Sequence, residues 1–339
     1  MTEALQLPVI DLSSPDRLST AKSIRQACID YGFFYLVNHG VEEELISQMF
    51  NESKKFFSLQ LEDKMKLARK EHRGYTALCD EILDPSSTSE GDPKESFYIG
   101  PLEGTLSSMN QWPSLGDLRN SANLEIHNGV LPPKSPDKDT LTWSYMCCLR
   151  SAGRRLIHLI ALALNLNEDF FEKVGALDAP MAFLRLLHYP GELVSSNQEV
   201  CGASAHSDYG MITLLATDGV PGLQARLEKF NQPRLWEDVP NIKGALIVNI
   251  GDMMERWTNC LFRSTLHRVM SSGQERYSVI ICFLSHLCFP HSNAFGYLPQ
   301  SAAETTSKSE SGLPMAHRSS TRDQSDCVEA AAVEDYSFK

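Results

Sequence analysis

A chain of 339 residues that is 42% hydrophobic and 22% charged holds enough apolar material for one large domain or two smaller ones, which excludes disorder throughout. A net charge of −12, with no basic run to offset it, argues against a nucleic-acid backbone as partner. The nine cysteines are scattered without a CxxC pair, so neither a disulfide framework nor a zinc ribbon fits, and most are expected to be buried, reduced thiols.

The predicted elements begin with a short strand at "LPVIDL". A helix follows over "SSPDRLSTAKSIRQACIDYG", with Ser14 as its cap, Pro15 in the first turn and a stop at Gly32. "FFYLVNHG" reads as a strand ending in a turn. Residues 42–59 form a second helix on the spacing of Leu45, Met49, Phe56 and Phe57. From 71 to 136, Gly, Pro and Ser dominate, and one strand at "ESFYIG" is the only element to emerge. Residues 139–164 recover a helical period in Met146, Leu149, Gly153, Leu156, Ile160 and Ala163. Their longest apolar run, "LIHLIALAL", is too short to span a bilayer, and the first twenty residues lack the pattern of a signal peptide. A cytoplasmic protein is expected.

Beyond residue 180 the period falls to two or to short apolar runs: "MAFLRLLHY", "CGASAHSD", "MITLLAT", "LWEDV", "ALIVNI", "FRSTLHRVM" and "RYSVIICFL". Many short strands at close spacing predict a sandwich or barrel, with the helices covering one sheet. The expected divisions are an N-terminal helical and strand region (1–136), a β core with its long supporting helix (137–284) and a serine-rich tail expected to be disordered (285–339).

Within "GASAHSDYGMITLLA", His206 and Asp208 stand two apart, so on a strand they project to one face. His267 in "FRSTLHRV", 59 residues beyond Asp208, is the candidate third ligand. Two histidines and a carboxylate that leave coordination positions open suit non-haem Fe(II). Arg276 and Ser278 in "RYS" again share a face, and an arginine fork beside a hydroxyl suits a carboxylate. Other polar residues have plainer explanations. Ser204 in "GASAH" imitates a nucleophile elbow but lacks its final glycine. His39 is expected to be a turn residue, and His158 and His188 core or rim histidines.

The order HxD, His, RxS, together with "LPVIDLS", "GFFYLVNHGV", "NQWP", "HSDYGMITLLATDGVPGLQ" and "VNIGDMMERWTNCLFRSTLHRV", resembles the 2-oxoglutarate- and Fe(II)-dependent dioxygenases of the isopenicillin N synthase-like group. The resemblance spans roughly residues 7–283. It implies a double-stranded β-helix (jelly-roll) core with iron on His206, Asp208 and His267. It places the distal carboxylate of 2-oxoglutarate on Arg276 and Ser278, with Tyr189 near the co-substrate, and adds O2 as oxidant and ascorbate alongside. A small-molecule substrate would sit in the barrel mouth, where Phe97, Tyr98, Arg185 and Leu223 are candidate walls. A charge on the Arg185 strand would need an anionic partner if it points inward. Two departures stand out. Leu187-His188-Tyr189-Pro190 replaces the group's Asn-Tyr-Tyr-Pro, and the chain after "RYSVIICFL" lacks the aromatic-rich strand, Asp-Pro turn and closing helix, so the jelly roll is expected to be incomplete at that end. Alternatives at this level are a same-fold oxidase that does without 2-oxoglutarate and a catalytically impaired homologue acting as a binding protein.

Overall fold

The computed structural model describes residues 6–84, 91–102, 109–113, 141–177, 181–191, 201–227 and 235–284. The expected boundary at 136/137 and the serine-rich tail fall outside the described residues.

Strand β1 (Val9–Asp11) runs parallel to β2 (Phe33–Val37), with α1 (Arg17–Asp30) between them in the chain. The cap of α1 is Asp16 rather than Ser14: its carboxylate accepts the Ser19 N–H at 3.0 Å, satisfying a donor of the first turn, while Ser14 lies too far out to reach it. Gly32 ends the segment at φ +67°, and a Cβ there would lie 2.3 Å from the Arg263 carbonyl oxygen, so both the backbone and the packing require glycine. Helix α2 (Glu43–Phe57) buries Leu45, Met49, Phe56 and Phe57, as its spacing predicts. The short α3 (Leu61–Met65) and β3 (Gly74–Thr76) precede β4 (Glu95–Ile99); the long α4 (Leu141–Ala163) and one-turn α5 (Phe170–Lys173) follow.

The β region comprises β5 (Met181–Tyr189), β6 (Cys201–His206), β7 (Ile212–Thr217), β8 (Leu223–Leu227), β9 (Leu235–Asp238), β10 (Leu246–Ile250), α6 (Asp252–Trp257), β11 (His267–Met270) and β12 (Arg276–Leu284). An eight-stranded sheet in the order β1-β2-β10-β7-β12-β5-β4-β3 faces a four-stranded sheet, β6-β11-β8-β9, in the jelly-roll arrangement. "FRSTLHRVM" is a strand only from His267 onward, because Phe262 is pulled into the helix-side core and the Arg263 N–H bonds the Cys28 carbonyl at 3.1 Å. Among the described residues no helix is long and apolar enough to cross a membrane.

Alternation divides the large sheet between two cores. One face carries Leu184, Leu186, Val248, Val279 and Ile281 against the helices; the other carries Phe33, Leu187, Leu215 and Ile247 toward the small sheet. Phe97 pairs with Leu186 and therefore belongs to the helix side, fully buried with its ring 4.5 Å from that of Phe56. Its expected place on the substrate wall is thus corrected: the strand's pleat turns Tyr98 inward and Phe97 away. Phe97→Ala is expected to cost about 3–5 kcal/mol of folding stability in urea denaturation, with metal affinity unchanged in the folded protein. A metal affinity that fell with it would contradict the placement.

Candidate active site

His206 ends β6, His267 begins β11, and the two are direct partners across an antiparallel pair, with ring centroids 4.3 Å apart. Asp208 lies in the turn after β6. That turn is held by its own carbonyl oxygen, which accepts the Asp252 N–H at the start of α6 (2.7 Å). One ligand atom from each of His206, Asp208 and His267 lies within 4.8 Å of the others, an arrangement that could hold a metal ion.

The far side of each group is already committed. His206 Nδ1 lies 2.7 Å from the Ser204 carbonyl oxygen and His267 Nδ1 lies 3.1 Å from that of Thr265, so each ring donates from Nδ1 and leaves Nε2 for the site. Asp208 Oδ2 accepts from Thr213 Oγ1 (2.6 Å) and Asn249 Nδ2 (2.7 Å), while Oδ1 stands 3.9 Å from His267 Nε2. Thr213 and Asn249 are themselves register partners on β7 and β10. Burial and the neighbouring His267 push the His206 imidazole down to about 4, against the opposing pull of Asp208, so it is neutral at physiological pH. Burial alone would raise the Asp208 carboxyl; the two imidazoles and the hydrogen bonds from Asn249 and Thr213 outweigh it and hold the group below its ordinary value. Two imidazoles and one carboxylate with their free atoms converging fit a ferrous ion with open positions.

Asn249 and Thr213 escape a motif-based reading, although a lone amide in the apolar run "ALIVNI" is itself a signal, since a buried polar group needs a partner. Cys282, one of the cysteines expected to be buried and reduced, lies beside the site. It faces inward opposite Thr213, its sulfur 3.7 Å from Thr213 Oγ1, and burial together with Asp208 pushes its thiol up to about 12. It stays protonated and does not compete as a thiolate.

Arg276 and Ser278 lie on the inner face of β12, alternating with helix-facing Tyr277 and Val279. Arg276 is 3% exposed, and its guanidinium stacks 5.1 Å over the Tyr189 ring. Its Nε donates to the Val220 carbonyl oxygen at 3.2 Å, but among the described residues the buried Nη1 has no hydrogen-bond partner. An orphaned guanidinium nitrogen is costly unless an acceptor comes to it, and a ligand carboxylate fits that need. Tyr189, Gly202, Val269 and Arg276 share the lining of one small cavity.

On the remaining wall, Tyr98 and Arg185 are register partners and face inward, and Leu223 packs between the sheets. The anionic partner that an inward Arg185 requires is Glu81, with which it forms an ion pair; Tyr98 donates to the same carboxylate at 3.2 Å. Glu81 also meets Lys94 at 2.9 Å. Burial would raise the Glu81 carboxyl, but Arg185 and Lys94 outweigh it and hold it at about 2. Because the folded value lies below the ordinary 4.5, this stabilisation is fully present above pH 4.5 and is lost as the pH falls toward 2. Glu81→Gln is expected to cost on the order of 3 kcal/mol at neutral pH and to flatten the acid limb of stability in that window, read from denaturant midpoints at successive pH values. A limb parallel to wild type would contradict this.

The other polar residues have structural partners. His39 is buried in a turn, its Nδ1 accepting the Val41 N–H and its Nε2 on the Gly244 carbonyl. His158 meets Glu172, and His188 lies between Glu95 and Glu275 on the helix side. Ser204 donates to Asp92, and among the described residues no histidine side chain is bonded to its hydroxyl.

The comparisons agree with this geometry. Residues 7–115 match the model described as "non-haem dioxygenase in morphine synthesis N-terminal", and residues 180–285 match the "2OG-Fe(II) oxygenase superfamily". Kihadalactone A synthase LFS of Citrus sinensis is 38% identical over 91% of this chain and 86% of its own length. Azadirone synthase LFS of Melia azedarach is 38% identical over 80% and 79%. A full-length Neurospora crassa protein, solved in complex with alpha-KG and 5-formyluracil, superposes with a TM-score of 0.69 at 25% identity, covering 92% of this chain and 94% of the other. The chain belongs to the 2-oxoglutarate- and Fe(II)-dependent oxygenase superfamily.

Proposed function

We propose that the protein couples oxidative decarboxylation of 2-oxoglutarate to hydroxylation or another oxidation of a small organic molecule, with Fe(II) on His206, Asp208 and His267. The observation that carries this reading is the commitment of the far atoms: Nδ1 of both histidines and Oδ2 of Asp208 are hydrogen-bonded away, leaving three donors aimed at one point. Ferrous iron bound there supplies the O2 chemistry that no side chain can.

The chain's own residues do the rest. Arg276 and Ser278 receive the distal carboxylate of 2-oxoglutarate, which satisfies the orphaned Nη1, and Tyr189 packs beside it. Leu187 adds apolar surface on the same inner face. Tyr98, Arg185 and Leu223 bound the substrate. The Arg185 charge is already matched by Glu81, which supports an uncharged substrate that accepts a hydrogen bond over an acid. Ascorbate keeps the iron reduced. A reducing cytoplasmic location is part of the same proposal, supported by cysteines that are scattered along the chain without a CxxC pair.

Untargeted metabolite profiling tests the reading. Small-molecule extract is incubated with Fe(II), ascorbate and 2-oxoglutarate, with and without the protein. Succinate formation together with a new oxidised metabolite is expected; conversion that proceeds without 2-oxoglutarate would contradict it.

A further inference from the structure

We infer that Asp92, held in place by Lys94, positions the His206 imidazole by gripping Ser204; the inference rests on the iron site proposed above. The need for such a grip comes from the strand. Among the described residues β6 is an edge strand and pairs only with β11. His206 is opposite His267 and Ala203 is opposite Val269, so Ser204 and Ala205 together face the single residue Arg268. That is a bulge immediately before a metal ligand, followed by a second register shift between Val269 and Met270. At a bulge the ladder no longer fixes the backbone, and the direction of the next side chain is set by whatever else holds it.

What holds it is a buried carboxylate. Asp92 Oδ1 accepts both the Ser204 N–H (3.1 Å) and the Ser204 hydroxyl (2.5 Å), while the Ser204 carbonyl oxygen, on the other side of the same residue, accepts from His206 Nδ1 at 2.7 Å. Asp92 Oδ2 is in turn held by Lys94 Nζ at 2.7 Å and the Leu83 N–H at 3.3 Å. Asp92 is 1% and Lys94 2% exposed. The second histidine is built on the same plan with neutral parts: Thr265, two residues before His267, offers its carbonyl to Nδ1 and anchors its hydroxyl on the Tyr31 carbonyl at 2.7 Å. A buried ion pair is rarely worth more to stability than apolar residues of the same volume, so stability alone does not account for Asp92 and Lys94. Fixing the orientation of a ligand does, and partners behind a metal ligand typically carry 10- to 100-fold in metal affinity.

The test uses the full chain, Co(II) as probe ion, its dissociation constant by spectroscopic titration, and the melting temperature. Two double substitutions remove both charges together, leaving Glu81 matched by Arg185. Asp92→Asn with Lys94→Met keeps an acceptor oxygen for Ser204; Asp92→Leu with Lys94→Met removes it. Positioning through hydrogen bonds predicts a constant within about 3-fold of wild type for the asparagine pair and a rise of about 10- to 100-fold for the leucine pair. Equal constants in both pairs, whether unchanged or shifted alike, would overturn the inference. Should the leucine pair not fold, Ser204→Ala removes only the 2.5 Å contact, and a severalfold rise is expected where an unchanged constant would overturn it. Wild-type protein that takes up no Co(II) would instead overturn the iron site itself, and the inference with it.

Discussion

Asp208→Ala is expected to leave a folded protein that no longer retains ferrous iron and turns over at background. The carboxylate is the only anionic donor of the three, and without it two imidazoles face each other with nothing to complete one face of a coordination sphere. Structural metal sites are worth about 10–16 kcal/mol over four ligands, so one ligand carries on the order of 3 kcal/mol, roughly 100-fold in affinity. The loss of turnover exceeds the loss of affinity, because iron that does bind is held in a different geometry. Asn249 and Thr213 lose their acceptor at the same time, so the melting temperature should fall modestly. Iron content after gel filtration, measured beside succinate formation, separates the two effects. Wild-type iron content and activity in the variant would remove Asp208 from the site.

Arg276→Lys is expected to raise the apparent constant for 2-oxoglutarate roughly 10- to 150-fold while Fe(II) affinity stays close to wild type. The substitution keeps the charge but loses the fork: Nε on Val220, the stack over Tyr189 and the unpartnered Nη1 cannot all be reproduced by one ammonium. A hydrogen bond to a charged group is worth about 1.5–3 kcal/mol, which sets the range. If Arg276 were only a structural cation, its replacement would lower stability and leave the constant unmoved. The rate of succinate formation against 2-oxoglutarate concentration decides between them.

Alternation made the β core legible in the sequence. The spacing of His206 and Asp208 marked them as a pair, but β6 ends at His206, so it is the turn that brings Asp208 round and the β6–β11 register that brings His267 in. Alternation does not say which face is inside. Phe97 and Tyr98 were equally plausible walls until β4 was paired with β5, and the register that sends Phe97 to the helices is a long-range fact. The cap of α1 fails for a local reason: "SSPD" offers several capping side chains, and only the backbone path selects Asp16. Asp92 and Lys94 were hidden differently. They lie in a Gly- and Pro-rich stretch whose composition reads as surface, and only the fold shows them buried, with Asp92 against the metal-site strand and Lys94 behind it. Asp92 and Ser204 are 112 residues apart, a separation no local pattern bridges.

Anaerobic titration of 2-oxoglutarate into the wild-type Fe(II) protein tests the central claim most directly, since it asks only whether metal and co-substrate meet on this chain. Saturable binding of one equivalent is predicted, with the visible absorption of a ferrous ion chelated by a 2-oxo acid, and it should be lost in Asp208→Ala. Iron that binds without any spectral response to 2-oxoglutarate would contradict it.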